Sequence, residues 1–137
     1  MILILLGTQD NSFHRLLDKV QELIDKKVIT EKAIDREIKK GNIKEKVIVQ
    51  AGRTKFESKD MEIYSLMPEE KLREIMEKAD LVITSYMINE LPKEMRQKAV
   101  EKLWKATNKL LVIIEPGTPA GFANILEIRK NILDAGG

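Results

Sequence analysis

The segment Gly7-Thr8-Gln9-Asp10-Asn11-Ser12 follows an apolar run and leads into an amphipathic one. A strand handing over to a helix at such a point leaves free backbone N–H groups and the positive end of a helix dipole. Gly7, Thr8, Gln9, Asn11 and Ser12 are residue types that can receive a phosphate there, from a nucleotide or another anion. Asp10 opposes an anion, and the segment is neither GxGxxG nor a Walker A loop. Structure alone also accounts for it, with Gly7 allowing a tight turn and Ser12 capping the helix. Further on, Ala51-Gly52-Arg53-Thr54-Lys55 sets two cations beside a glycine. Gly52 and Arg53 therefore face a diphosphate or form an exposed turn. Glu115-Pro116-Gly117-Thr118-Pro119-Ala120-Gly121 crowds prolines and glycines into a rigid turn, where Glu115, Gly117 and Thr118 could line a site. If Glu90 approached Glu115, burial could raise one carboxyl's pKa for acid–base work; as surface glutamates the two would do nothing.

Beyond these segments the chemical inventory is short. His14 is the one histidine and sits beside an apolar position, which suits an exposed or partly packed side chain better than a base. The chain has no cysteine, which removes disulfides, thiolate zinc sites, iron–sulfur clusters and cysteine nucleophiles. No Ser-His-Asp set, HExxH helix or carboxylate cluster with metal-ligand spacing can be assembled. No catalytic residue, metal ligand or cofactor is assigned on this reading.

The elements that would position these segments are short apolar runs at Ile2–Leu6, Lys46–Gln50, Glu62–Leu66, Asp80–Thr84 and Leu110–Ile114. Their continuous apolarity predicts strands buried on both faces, as in a parallel sheet covered by helices. Between them, Phe13–Lys27 carries Phe13, Leu16, Leu17, Val20, Leu23 and Ile24 at helical spacing, capped by Asn11 or Ser12. A short helix is expected at Glu31–Lys40, with Thr30 as cap and Gly41 as stop. Pro68 and Pro92 each open a helix. The second of these should turn Met95, Ala99, Val100, Leu103 and Trp104 inward. A last helix, about Phe122 to Leu133, should pack Ile125, Leu126, Ile128 and Leu133. Strands alternating with helices through right-handed crossovers predict an α/β fold, a three-layer Rossmann-like sandwich on a five-stranded parallel sheet of order 3-2-1-4-5. Ligands in such sheets bind at the carboxyl ends of the strands, where the winding reverses between the first and fourth.

The length of 137 residues suits a single domain. Lys and Arg number 24 against 22 Asp and Glu, for a net +2, with both signs interspersed. The densest basic run, Lys39–Lys40 to Lys46, is interrupted by Glu45, and aromatics make up only 4%. The expectation is accordingly no nucleic-acid partner. Met1–Leu6 is too short for a membrane span and lacks the flanks of a signal peptide, so no membrane insertion and a cytoplasmic address are expected.

Two family resemblances meet in the middle of the chain. Residues 1–84 resemble the donor-binding subunit of family 28 glycosyltransferases, which supplies the UDP-sugar half of a two-subunit enzyme. The matching pieces are Ile2-Leu3-Ile4-Leu5-Leu6-Gly7-Thr8-Gln9, Phe13-His14-Arg15-Leu16-Leu17, Val47-Ile48-Val49-Gln50-Ala51-Gly52 with Thr54-Lys55-Phe56, and Ala79-Asp80-Leu81-Val82-Ile83-Thr84. The histidine–glycine–glycine loop that follows in that family is absent. Residues 80–135 resemble a methyltransferase-like family associated with the small ribosomal subunit. Here the matching pieces are Asp80-Leu81-Val82-Ile83, Asn89-Glu90-Leu91-Pro92, Leu103-Trp104 and, most distinctively, the run from Leu111 to Phe122 around Glu115-Pro116-Gly117-Thr118-Pro119. That resemblance implies S-adenosylmethionine held by a glycine-rich loop after the first strand and an acidic residue ending the second. Neither is recognisable here.

Each half thus carries a fold and lacks part of a site. The function expected on this basis is that of a recombined or engineered chimeric scaffold joined near Ala79–Thr84, with no intact catalytic site and so no enzymatic turnover. Its alternatives are a UDP-sugar donor-binding subunit and an S-adenosylmethionine-dependent methyltransferase-like protein. Val82 and Val112 are both expected inside the sheet, so an aspartate at either should prevent folding.

Overall fold

The computed structural model describes residues 1–7, 13–26 and 46–137. Five strands, β1 (Ile2–Leu6), β2 (Val47–Gln50), β3 (Met61–Tyr64), β4 (Leu81–Ser85) and β5 (Leu110–Ile114), form one sheet. Every neighbouring pair is parallel and the order is β3-β2-β1-β4-β5, as the alternation of apolar runs predicts. Among the described residues four helices accompany them: α1 (His14–Asp25), α2 (Glu69–Lys78), α3 (Lys93–Ala106) and α4 (Pro119–Asp134). A single 3-10 turn, Ile88–Glu90, lies between β4 and α3. The expected helix Glu31–Lys40, with its Thr30 cap and Gly41 stop, lies outside the described residues.

Two cores lie on opposite faces of the sheet. On one, Ile2, Ile4, Leu6, Val47 and Val49 meet Phe13, Leu17, Val20 and Ile24 of α1 and its approach. On the other, Leu3, Leu5, Ile48 and Val82 meet Met76 of α2, Val100 and Leu103 of α3, and Ile128 of α4. Alternate residues of β1 therefore serve both layers. That is why its sequence is uniformly apolar and all five of its residues are buried. Pro68 and Pro92 precede the first residues of α2 and α3, where a fixed φ assists the first turn.

Four expectations need correction. The third strand runs over Met61–Tyr64, and Leu66, placed inside it by apolarity alone, is exposed. Met95 points to solvent from α3, as do Leu126 and Leu133 from α4; their spacing marks a helical stripe without showing how much of it is covered. In β5 only one face is covered. Leu111 and Ile113 pack against the second core, whereas Leu110, Val112 and Ile114 stand open at 56%, 38% and 37% exposure. Val112 is therefore not inside the sheet. β5 is an edge strand, and α1, the described helix on its open face, packs over β1 and β2.

Candidate functional site

At the carboxyl edge the winding reverses between β1 and β4, and the residues there divide between the two faces of the sheet. β1 is followed by Gly7, whose N–H donates to the Ser85 carbonyl of β4 at 2.9 Å. A Cβ on Gly7 would stand 2.5 Å from the Tyr86 carbonyl oxygen and 2.8 Å from Oε1 of Glu90. Only glycine allows the strands to close this tightly, and the gap is filled by the chain's own atoms. The Gly52 N–H is engaged as well, donating to the Ser65 carbonyl at 2.9 Å, and its φ of +58° suits glycine in the turn. Neither glycine's amide is left to hold a phosphate. Thr8, Gln9, Asn11 and Ser12 lie outside the described residues, and Arg53 is exposed beyond the β2 turn.

Immediately after β4, Tyr86 has φ of +56°, the one non-glycine residue in left-handed backbone among those described. Such a conformation costs about 1–3 kcal/mol for a residue of this kind and persists only where surroundings enforce it. Two observed contacts do so. The Tyr86 N–H donates to the Ile114 carbonyl at 2.9 Å, and its ring meets Phe13 edge-on with centroids 5.4 Å apart. The ring is thereby turned toward α1. Together with Phe13, Arg15, Leu16, Lys19, Ser85 and Ile114 it lines a cleft of about 730 Å³ over the open face of β4 and β5. Among the described residues the lining includes two cations and no carboxylate.

The opposite face is closed and acidic. Glu115, buried at the end of β5, accepts a hydrogen bond through Oε1 from the Ile88 N–H at 3.2 Å. Its Oε2 is buried without a hydrogen-bond partner. Burial pushes this carboxyl above the usual range and the charge of Glu90 adds to the push, while the N–H groups of Ile88 and Asn89 and the Arg96 guanidinium pull it back. The charge of Glu90 is the smallest of these influences on Glu115. Arg96 ties the surrounding loops together, donating to the carbonyls of Leu91 at 3.0 Å and Asn89 at 3.2 Å and to Oδ1 of Asn124 at 3.0 Å. Thr118 caps α4, its hydroxyl accepting from the Gly121 N–H at 3.1 Å. A small pocket of about 250 Å³ opens between Asn89, Arg96, Thr118 and Asn124. A Cβ on Gly117 would meet nothing within 4 Å.

Arg96, Tyr86, Arg15 and Lys19 are residues that the sequence reading did not single out. A signal existed for the last two, since Arg15 and Lys19 stand four apart on the exposed side of α1. His14 is exposed, its ring edge-on to Phe56 at 5.9 Å. Among the described residues no group of histidine and carboxylate side chains gathers closely enough to hold a metal ion, and no helix is long and apolar enough to cross a membrane.

Comparison with known proteins yields one family, described as mitochondrial small ribosomal subunit Rsm22, whose model matches residues 19–137. A human protein, ribosome assembly protein METTL17, mitochondrial, is 36% identical over 55 residues, which are 39% of this chain and 12% of that protein. The match thus spans about one-eighth of the human protein's length. No solved structure matches. The family match starts well inside the stretch likened to a glycosyltransferase and crosses positions 80–84 without a break. That continuity leaves no support for a junction there, for a recombined scaffold or for a sugar-donor subunit. By a match covering most of its length, the chain belongs to the Rsm22 family.

Proposed function

We propose that this chain is a methyltransferase-like module that acts in the assembly of a small ribosomal subunit by binding, without transferring a methyl group itself. The observation that supports it is the family match over residues 19–137, laid on a single doubly wound sheet. The name of the human relative adds ribosome assembly to the same reading. This replaces the expectation of no nucleic-acid partner, which rested on the even mixture of charges along the chain. An even mixture in sequence still permits a local cationic surface once a helix gathers alternate turns on one side.

S-adenosylmethionine, the cofactor implied by the methyltransferase resemblance, does not fit the described residues. Between β1 and β4 the Tyr86 carbonyl and the Glu90 side chain crowd Gly7. β2 ends in Gln50, whose Oε1 accepts from the Met67 N–H at 3.0 Å, so no carboxylate is presented there to a ribose. No methyl-transfer step is derived.

The test is sedimentation of the purified chain with small ribosomal subunits and their assembly intermediates, alongside a methylation assay with labelled S-adenosylmethionine. Co-sedimentation without label transfer is the expected result. Label appearing in ribosomal RNA or protein would overturn the non-catalytic reading, and failure to co-sediment with any subunit particle would overturn the assembly reading.

A further inference from the structure

The open cleft beside α1 has the composition of a nucleotide site. Arg15 and Lys19 supply positive charge from successive turns of α1, the buried Ser85 adds a polar residue to the lining, and Tyr86 and Ile114 offer an aromatic and an aliphatic wall. Among the described residues Arg15 has no ion-pair partner; Lys19 pairs with Glu22 at 3.0 Å, both being well exposed. An exposed pair of this kind contributes little and exchanges readily for a phosphate. A volume of about 730 Å³ falls within the range of small-ligand clefts. The strained backbone of Tyr86 is the second observation. With φ of +56° and no glycine in the loop, the strand end is held in a strained conformation in which this ring lies edge-on to Phe13 and lines the cleft.

We propose that this cleft binds single-stranded RNA, with a phosphate between Arg15 and Lys19 and a base stacked on the wall formed by Tyr86 and Ile114. Aromatic side chains beside a cationic groove hold single strands with little sequence preference, because every base has a π-face and every nucleotide a phosphate. The carboxylates Glu90 and Glu115 do not line this cleft, and Glu115 is turned to the other face of the sheet. The inference deepens the assembly reading and depends on it only for which RNA is met.

The experiment is fluorescence anisotropy with labelled oligouridine and oligoadenosine of about ten nucleotides, a length within the span of single-strand sites. The full chain should bind both, and weaken as salt is raised from about 50 to 200 mM. Arg15→Glu combined with Lys19→Glu should weaken binding at least about tenfold, since two phosphate contacts become repulsive. Tyr86→Asn tolerates the left-handed backbone and removes the ring, and should weaken binding about tenfold through lost stacking. Lys130→Glu, on the far side of α4, is the control and should change binding less than about twofold. Circular dichroism would verify that each variant is folded. Uridine monophosphate and inorganic phosphate serve as competitors. Displacement of the oligonucleotide only at much higher mononucleotide concentration supports a strand as the ligand, whereas equal potency of the mononucleotide would overturn RNA in favour of a free nucleotide. No binding at low salt, or binding that all three cleft substitutions leave unchanged, would also overturn the proposal. If the wild-type chain co-sediments with ribosomal particles but the cleft substitutions leave oligonucleotide binding unchanged, the cleft proposal falls and the assembly reading stands; if the wild-type chain binds RNA through the cleft but never co-sediments, the reverse holds.

Discussion

The two faces of the β4–β5 half of the sheet carry the same kinds of residue and end in opposite states. Toward α3 and α4, Val82 is fully buried, Leu111 and Ile113 are packed, and the carboxyl edge closes over a buried acid. Toward α1, Leu110, Val112 and Ile114 remain open, and the edge carries cations around an aromatic ring. A parallel strand is ordinarily covered on both sides, so a half-covered one marks where the layer stops and a surface begins. The difference teaches that the closed face sustains the fold while the open face is where a partner can be met.

The largest effect should come from placing one charge on each face. Val82→Asp would bury an unpaired carboxylate against α3 and should leave the chain unfolded, a loss of at least about 4 kcal/mol. Val112→Asp, on the paired strand but facing outward, should cost about 1 kcal/mol or less. Thermal melts followed by circular dichroism would check both. Equal damage from the two would mean that the open face is covered in solution, and the comparison would collapse.

A second probe sharpens the closed side. A Cβ on Gly121 would overlap the Pro116 carbonyl oxygen, with backbone on both sides of the contact and nothing flexible to yield. Gly121→Ala should therefore destabilise by about 3 kcal/mol, at the upper end of overpacking effects, measurable by urea titration. Gly117→Ala, four residues earlier in open space, should be close to neutral.

How much of this was legible beforehand follows from what kind of signal each feature leaves. Strand order was readable because five apolar runs separated by helical stripes admit few right-handed windings. The open face of β5 was not, since Leu-Leu-Val-Ile-Ile is uniformly apolar and carries no record of whether a second layer lies above it. Leu126 and Leu133 misled for the same reason. At the site, the sequence set Glu115 at the start of a rigid turn, and its carboxyl is buried there with Glu90 as a minor electrostatic influence. The bond from Ile88 to Glu115 spans 27 residues, and the left-handed Tyr86 occurs in a loop with no glycine to announce it. Arg15 and Lys19 were hidden by a net charge that averages over the whole chain.

Removing the buried acid gives a smaller effect with two parts. Glu115→Ala strands the Ile88 N–H in the interior and should cost about 1–3 kcal/mol. Glu115→Gln keeps an acceptor in place of Oε1 and discards the charge that burial disfavours, so at neutral pH it should be neutral or slightly stabilising. Chemical denaturation of the three proteins would show the order alanine below wild type, with glutamine at or above it. A glutamine variant as damaged as the alanine one would mean that the ionised carboxylate is held by more than the Ile88 contact.

The smallest and most diagnostic effect is the pH dependence of the same group. The Glu115 carboxyl is raised in the folded chain above its ordinary value of 4.5, with burial as the leading cause. Between the unfolded and folded values the folded state therefore binds more protons than the unfolded one, so this group's contribution to stability rises as pH falls through the folded pKa and levels off below the unfolded value. Above the folded value the buried charge is a constant penalty. Asp80 acts in the opposite sense, because Lys109 and the N-terminal ammonium lower its carboxyl, and its contribution is lost as pH falls through that lowered value. The two windows separate, Glu115 acting above 4.5 and Asp80 below 3.8. Subtracting the stability profile of Glu115→Gln from that of the wild type should isolate a difference that narrows on acidification toward 4.5 and is flat above the folded value. A difference that widens on acidification would place Glu115 among the stabilised carboxylates and remove the acidic, desolvated character of the closed face.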